Sequence, residues 1–379
     1  PCELFLNNKN GTFTEIASAA GVSIAAFVKG VTSGDYNNDG LMDIFLSTMN
    51  GVQTLLKNDG IKNGIPKFKN VSKAAGFNKG RTRTFGTWFW DFDNDGWLDI
   101  AVNAYHFNTS LGCYAALEAL GKLPAEPTGQ TLLYRNRGDG TFEEVSQKVG
   151  LNKVAFAMGC NFGDIDNDGY PDIYLGTGNP LYTSLVPNKM FKNIGGLHFD
   201  DITSAARVGS LQKGHGVSFA DLDNDGDVDI HIEMGGAFAG DAYENSLFIN
   251  PGQSDNNWIN LQLIGTKANR AAIGARIKIT FNENGKTRYV YSHVNSGASF
   301  GANPLMQHIG IGKAKTIERI DIEWPGSKSL QMIENVRPNQ TIEIKESLPG
   351  YQVLKTKQLD FTAVKRLSVG CAPVPQEFR

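Results

Sequence analysis

Residues 220–229 read Ala-Asp-Leu-Asp-Asn-Asp-Gly-Asp-Val-Asp, with five aspartates in ten positions, and pass at once into the apolar run Ile230–Ile232. Asp221, Asp223 and Asp225 alternate along a short loop, where a tightly curled backbone turns their side chains toward one point. Gly226 takes the positive φ that reverses the chain, so the carbonyl of Asp227 and the carboxylate of Asp229 reach the same centre. Carboxylates this close repel unless a cation joins them or some stay protonated. A set of hard oxygen donors in this number points to calcium.

The same arrangement occurs four times. The first copy supplies Asp35, Asn37, Asp39, the carbonyl of Leu41 and Asp43. The second supplies Asp91, Asp93, Asp95, the carbonyl of Trp97 and Asp99, and the third Asp164, Asp166, Asp168, the carbonyl of Tyr170 and Asp172. Asn37 replaces an aspartate, so the first loop carries less charge and is expected to bind more weakly. The leading aspartates, Asp35, Asp91, Asp164 and Asp221, stand 56, 73 and 57 residues apart. A period of this size means an array of supersecondary units with one insertion, about Tyr105–Gln130. The expected cofactor is Ca2+ at about four sites, each a structural clip on a turn, because an ion held by a preformed loop adds to folding stability.

Each acidic loop is placed by the segments around it. The loops lie between five phrases of one type, Leu4-Phe5-Leu6-Asn7 with Gly11-Thr12-Phe13, Leu55-Leu56-Lys57-Asn58, Leu133-Tyr134-Arg135-Asn136, Met190-Phe191-Lys192-Asn193 and Leu247-Phe248-Ile249-Asn250. After the loops come Ile44–Leu46, Ile100–Val102, Ile173–Leu175 and Ile230–Ile232, strand-sized and rich in branched or aromatic residues. An EF-hand would end its loop on a bidentate Glu and lie between helices. Those positions here hold Leu46, Val102, Leu175 and Ile232 inside strands. Repeated short strands with Gly-rich turns fit a β-propeller.

These loops and their flanks resemble the FG-GAP or VCBS repeat, a calcium-loop propeller blade. The resemblance covers residues 1–252 and implies an all-β fold. From Asn257 the loops cease and period-two alternation begins, in Trp258–Leu263, Ala275–Phe281, Thr287–Tyr291 and Ile317–Trp324. The words Asn257–Leu261, Gly265–Arg276, His308–Gly312 and Ile322–Pro325 resemble the ASPIC/UnbV domain, expected as a small antiparallel β-sandwich-like unit over 257–346. The combination is similar to the cartilage acidic protein family and its bacterial exported homologues. Residues 347–379, with Pro349, Gly350, Pro373 and Pro375, read as an extended tail.

The remaining features bound the function. No apolar run approaches the ~20 residues of a membrane span, and a net charge of −3 gives no electrostatic case for nucleic acid. Cys2, Cys113, Cys160 and Cys371 lack Cys-x-x-Cys spacing, so zinc, redox and haem motifs are unsupported and three disulfide pairings stay open. His106, His198, His215, His231, His293 and His308 show no metal-binding spacing, and there is no nucleophile elbow or phosphate loop. Calcium loops fill best outside the cytosol, which favours a secreted, cell-surface or periplasmic setting. For ring closure three alternatives stand: the four repeats close by themselves, the C-terminal domain helps, or further blades precede Pro1, as the abrupt start in mid-blade favours.

Two functions are in contention. One is a calcium-stabilised binding or adhesion module presenting the 105–130 insertion and the loops 178–182 and 235–243 to protein or carbohydrate partners. The other is a propeller enzyme acting on polysaccharide, or an accessory subunit of an exported complex. With every repeated carboxylate committed to metal, a glycosidase-like pair is disfavoured.

Overall fold

The computed structural model describes residues 1–77, 82–106, 110–122, 129–178, 186–235, 243–252, 254–327 and 329–361. Of the loops singled out above, most of 178–182 and 235–243 and part of 105–130 lie outside the described residues, as does 362–379 with Cys371. Cys2, Cys113 and Cys160 are free thiols.

The chain is all-β. Residues 28–248 form successive antiparallel sheets, each ordered from an inner to an outer strand. Blade one is Val28–Gly34, Asp43–Thr48, Thr54–Lys62 and Ile65–Asn70; blade two is Thr84–Trp90, Asp99–Ala104, Thr131–Asn136 and Phe142–Glu144. Blade three is Ala157–Gly163, Asp172–Thr177, Lys189–Ile194 and His198–Asp201, and blade four Gly214–Ala220, Asp229–Met234 and Ser246–Phe248. The hairpin Phe5–Asn7 with Phe13–Glu15 carries the same phrase as the outer pair of a blade. Every acidic loop joins the first strand of its blade to the second, which excludes the helix-flanked alternative. The insertion contains the helix Leu111–Ala119, capped by the Ser110 side chain accepting from the Cys113 N–H at 3.3 Å.

Adjacent blades meet through aromatic layers. Trp88, Phe89, Phe45 and Ile100 are all 1% exposed or less. The inner strands of blades three and four come so close that a Cβ on Gly159 would stand 1.5 Å from the His215 carbonyl oxygen, so only glycine fits there.

Residues 258–354 form two four-stranded sheets packed face to face. One is ordered Gln307–Gly310, Trp258–Ile264, Thr341–Lys345, Gln352–Leu354, and the other Lys286–His293, Arg276–Glu283, Ile317–Glu323, Leu330–Val336. Their inward residues, Ile259, Leu261, Ile277, Ile279, Phe281, Ile320, Ile322 and Trp324, make one core. The sandwich departs from the antiparallel expectation in one place: Trp258–Ile264 and Thr341–Lys345 run parallel, because the rest of the domain forms the long crossover between them. Part of the expected tail is also ordered, since Gln352–Leu354 pairs with Thr341–Glu343.

One carboxylate ties this domain to its own leading loop. Glu346, 1% exposed, accepts through Oε2 from the backbone N–H groups of Thr266, Lys267 and Ala268 at 2.8, 2.6 and 2.7 Å. Its Oε1 accepts from Ser327 Oγ at 2.7 Å. Burial pushes its pKa up, but these bonds outweigh burial and hold it at about 2. A depressed carboxylate stabilises the fold fully above its unfolded value near 4.5, and the contribution fades as pH falls toward 2. Glu346→Gln should therefore cost about 3 kcal/mol at neutral pH, the scale of unmaking charged hydrogen bonds. The deficit should shrink in acid titrations followed by circular dichroism; a pH-independent deficit would contradict this role for the charge.

Candidate metal centres

Each loop curls because its own carboxylates collect its amides. The first aspartate accepts from the backbone two turns ahead: Asp35 from Asp39 and Gly40 at 3.0 and 2.8 Å, Asp91 from Asp95 and Gly96 at 3.1 and 2.8 Å. Asp164 takes Asp168 and Gly169 at 3.1 and 2.7 Å, and Asp221 takes Asp225 at 3.1 Å. The last aspartate of each loop locks it to the third strand of its blade, or to the residues just after that strand. Asp99 accepts from Phe92 and Asn136 at 3.2 and 2.7 Å, and Asp172 from Ile165 and Asn193 at 2.9 and 2.7 Å. Asp43 and Asp229 do the same with Asn58 and Asn250.

This curl gathers ligand oxygens in three loops. Asp91, Asp93 and Asp99, then Asp164, Asp166 and Asp172, then Asp221, Asp223 and Asp225 each place oxygens within 4.8 Å of one another. The first loop, with Asn37 in third position, does not gather three carboxylates in this way. The third position carries a further sign. Asn37 Oδ1, Asp93 Oδ1 and Asp166 Oδ1 are all buried without a hydrogen-bond partner. An orphaned buried oxygen is costly, and a cation at the loop centre is the partner that this donor set fits. The other oxygens of two of these carboxylates are engaged, Asp93 by Arg135 at 2.5 Å and Asp166 by Lys192 at 2.5 Å. Lys57 lies 3.4 Å from Asp39. Ile249 holds the corresponding place in blade four, which leaves the last loop with no such cation beside its extra Asp227.

Electrostatics follow the crowding. Burial, then neighbouring carboxylates, push Asp91, Asp99, Asp164 and Asp172 well above the usual carboxylate range. Burial, reinforced by Asp225 and Asp223, lifts Asp221 to about 6, and burial lifts Asp43 to about 7. Without a cation, these loops would hold protons in its place.

The loops are also linked to one another, through residues whose role spacing alone did not disclose. The fourth position is asparagine in every copy, with φ of 57° at Asn38, Asn94 and Asn167 and 59° at Asn224. Each side chain reaches onward: Asn38 Nδ2 donates to the Gly96 carbonyl at 3.2 Å, Asn94 to Gly169 at 2.8 Å and Asn167 to Gly226 at 3.0 Å. Asn224, in the last loop, donates instead to Lys357 at 3.1 Å. The asparagines of the Leu-x-x-Asn phrases tie backward, Asn136 to Tyr36, Asn193 to Phe92 and Asn250 to Ile165, each at 2.8 Å. Recurrence at fixed loop positions was the available signal.

The C-terminal sandwich sits on this row of loops. His308 Nε2 lies 2.6 Å from Asn167 Oδ1 while its Nδ1 meets Asn260 at 2.8 Å, and its ring stacks on Trp258. Arg288 donates to the Asp168 carbonyl at 3.0 Å, and the N–H groups of Tyr291 and Gly312 reach Asn94 and Asn167 at 3.1 and 2.9 Å. From the same domain, residues 294–306 run along the inner strands of the blades. Ser299 exchanges two 2.9 Å bonds with Thr87, Phe300 accepts from Cys160 at 3.1 Å, and Asn303 accepts from Phe219 at 2.9 Å. A Cβ on Gly30 of blade one would stand 2.6 Å from Ser299 Oγ.

With this geometry in hand, comparison with known families is decisive. The FG-GAP-like repeat model matches residues 2–46, 35–102 and 124–175, and the ASPIC and UnbV model matches 265–349. The chain carries FG-GAP-like repeats followed by an ASPIC/UnbV domain. It is similar to cartilage acidic protein 1 of Mus musculus and of Homo sapiens, 24% identical to each over 335 residues, or 87% of this chain. It is also similar to cartilage acidic protein 1 of Xenopus tropicalis, 33% identical over 128 residues, 34% of this chain and 18% of that protein. The chain spans about half the length of the curated relatives it matches, 47% of the mouse and 46% of the human protein. Among the described residues, no helix of this FG-GAP/ASPIC chain is long and apolar enough to cross a membrane.

Proposed function

We propose that this is an extracellular or exported binding module whose blades are clipped by calcium and whose partners, protein or carbohydrate, dock on the end of the propeller opposite the metal loops. The orphaned third-position oxygens carry the metal part. Calcium in about four loops would take Asp35, Asn37, Asp39, Leu41 and Asp43, and the matching sets beginning at Asp91, Asp164 and Asp221. The name of these relatives, cartilage acidic protein, supports a location outside the cell, where calcium is plentiful.

Topology supports the docking end. In each blade the acidic loop follows the first strand and the next connection follows the second, so the two lie at opposite ends of an antiparallel pair. The C-terminal domain covers the acidic-loop end. The other end carries the helix Leu111–Ala119 of the insertion, followed by Leu120, 67% exposed, and the turn bearing Val52, 56% exposed. Rigid blades presenting varied loops are a common recognition scaffold.

The test is retention of matrix proteins and a glycan array on the immobilised chain, in calcium and in chelator. Calcium-dependent retention should be lost when 105–130 is replaced by a short linker and kept when exposed residues of the C-terminal domain are changed. Retention indifferent to the insertion would overturn the docking end.

A further inference from the structure

Between the acidic-loop end of blades two to four and the C-terminal sandwich lies a cavity of about 170 Å3. Much of its wall is apolar, including Leu98, Phe162, Phe219, Ile277, Val290 and Met306. Two polar side chains on that wall are buried without a partner. His293, 8% exposed, has neither ring nitrogen paired, and Trp90, 2% exposed, leaves Nε1–H unpaired. Burial, then Arg276, lowers His293 to a pKa of about 4, so near neutral pH it offers one donor and one acceptor.

Among the described residues, several other polar groups on the wall are engaged. Asn303 bridges Asn161, Phe162 and Phe219, and Gln307 pairs with Ser292 and the Leu305 carbonyl. Asp91 and Asp164 spend both oxygens on their own loop amides, and Arg276 is held by Glu323 and the Gly96 carbonyl. Asp221, also on the wall, accepts from the Asp225 N–H through one oxygen and belongs to its own acidic loop. The interior offers a hydrophobic wall and a small set of unmet hydrogen bonds, the pattern of a small-molecule site.

Size narrows the class. A buried apolar cavity of ~150 Å3 is known to accept a single benzene ring, and the unmet groups call for a function that both donates and accepts. We propose that this cavity binds a small neutral ring compound bearing a hydroxyl group, its ring against the Phe162 and Phe219 wall and its hydroxyl supplying the missing partner of His293. Trp90 Nε1–H is a second donor for the same oxygen or for another on the ring. Pro304 is exposed and Met306 and Gln307 are half-buried, so the segment they form borders solvent and provides the route in. The site is distinct from the docking end proposed above and stands or falls separately from it.

The probes are phenol and benzene, titrated into the calcium-loaded full chain and followed by ligand-observed NMR, with histidine ring 15N shifts recorded in parallel. Phenol should bind at least tenfold more tightly than benzene, because a site with unmet polar groups rejects the analogue lacking the hydroxyl. It should also move the His293 ring shifts. His293→Phe should cut the phenol preference severalfold, with Trp90 Nε1–H left as the lesser donor; where that variant does not fold, the wild-type preference and the ring shifts decide. Equal binding of the two probes, or binding of neither, as for a cavity filled by water alone, would overturn the proposal. So would a phenol preference that is undiminished in a folded His293→Phe protein.

Discussion

Chelating calcium should lower the melting temperature of this protein by about 20 °C. The magnitude follows from linkage: an ion at ~1,000 times its dissociation constant contributes about 4 kcal/mol per site, and for a domain of this size each kcal/mol moves the midpoint by ~2–4 °C. Three loops gather ligand oxygens within 4.8 Å, so two or three such contributions are expected. The effect has a pH signature. Burial and like charges raise the loop carboxylates, with Asp43 near 7 and Asp221 near 6. A raised carboxylate favours the fold at pH below its unfolded value of 3.8, and that advantage is lost as pH rises through the folded value. The chelated protein should lose stability from about pH 4 to 7, whereas calcium replaces the protons and removes that loss. The gap between loaded and chelated melting temperatures should widen over this range. Calorimetry with and without chelator at pH 5 and pH 8 checks it, and coincident transitions would refute the metal reading.

Within this effect the loops should differ. Asp172→Ala removes a proposed calcium ligand that also accepts from Ile165 and Asn193, so it should cost more than loss of the calcium contribution alone. Asp225→Ala, in the more exposed fourth loop, should lower calcium-dependent stability and little else.

Gly310→Ala should cost 3 kcal/mol or more and weaken calcium at the third loop about tenfold. Gly310 is the point where the C-terminal domain bears on that loop. A Cβ there would come 2.2 Å from Asp164 Oδ2 and 2.4 Å from the Asn167 backbone carbon. The carboxylate is held by two amides and the asparagine by its bond to Gly226, so neither yields cheaply, and overpacking on that scale costs ~1–3 kcal/mol before any contact is lost. Displacing the strand Gln307–Gly310 also pulls His308 from Asn167. A calcium titration with urea unfolding measures both effects. The control is Gly112→Ala, where a Cβ meets nothing within 4 Å. Wild-type stability and calcium midpoint in the Gly310 variant would show that the two domains are not coupled at this point.

Much of the architecture was legible because its determinants are local. The strands after each loop appear where alternation and branched residues put them, Ile100–Val102 within Asp99–Ala104 and Ile173–Leu175 within Asp172–Thr177. In the sandwich, Trp258–Leu263 and Ile317–Trp324 match observed strands to within a residue. Leu330–Val336 and Thr341–Lys345 are strands beyond those that the alternation in the sequence marks. Thr341–Lys345 takes its place from a parallel partner some 80 residues earlier in the chain, and such pairing leaves no turn signature nearby.

By itself the sequence determined the curled acidic loops, since ligands, turn glycine and capping amides all lie within ten residues of one another. It also determined the strands that flank them, through period-two patterning. Tertiary structure alone decided what the loops do together. The ties from Asn38, Asn94 and Asn167 reach 58, 75 and 59 residues along the chain, and Ser299 meets Thr87 across 212. His293 and His308 looked idle because the neighbours that give them meaning come from other elements. Local rules fix the conformation of a ten-residue loop, but which surfaces meet depends on packing that brings distant segments together.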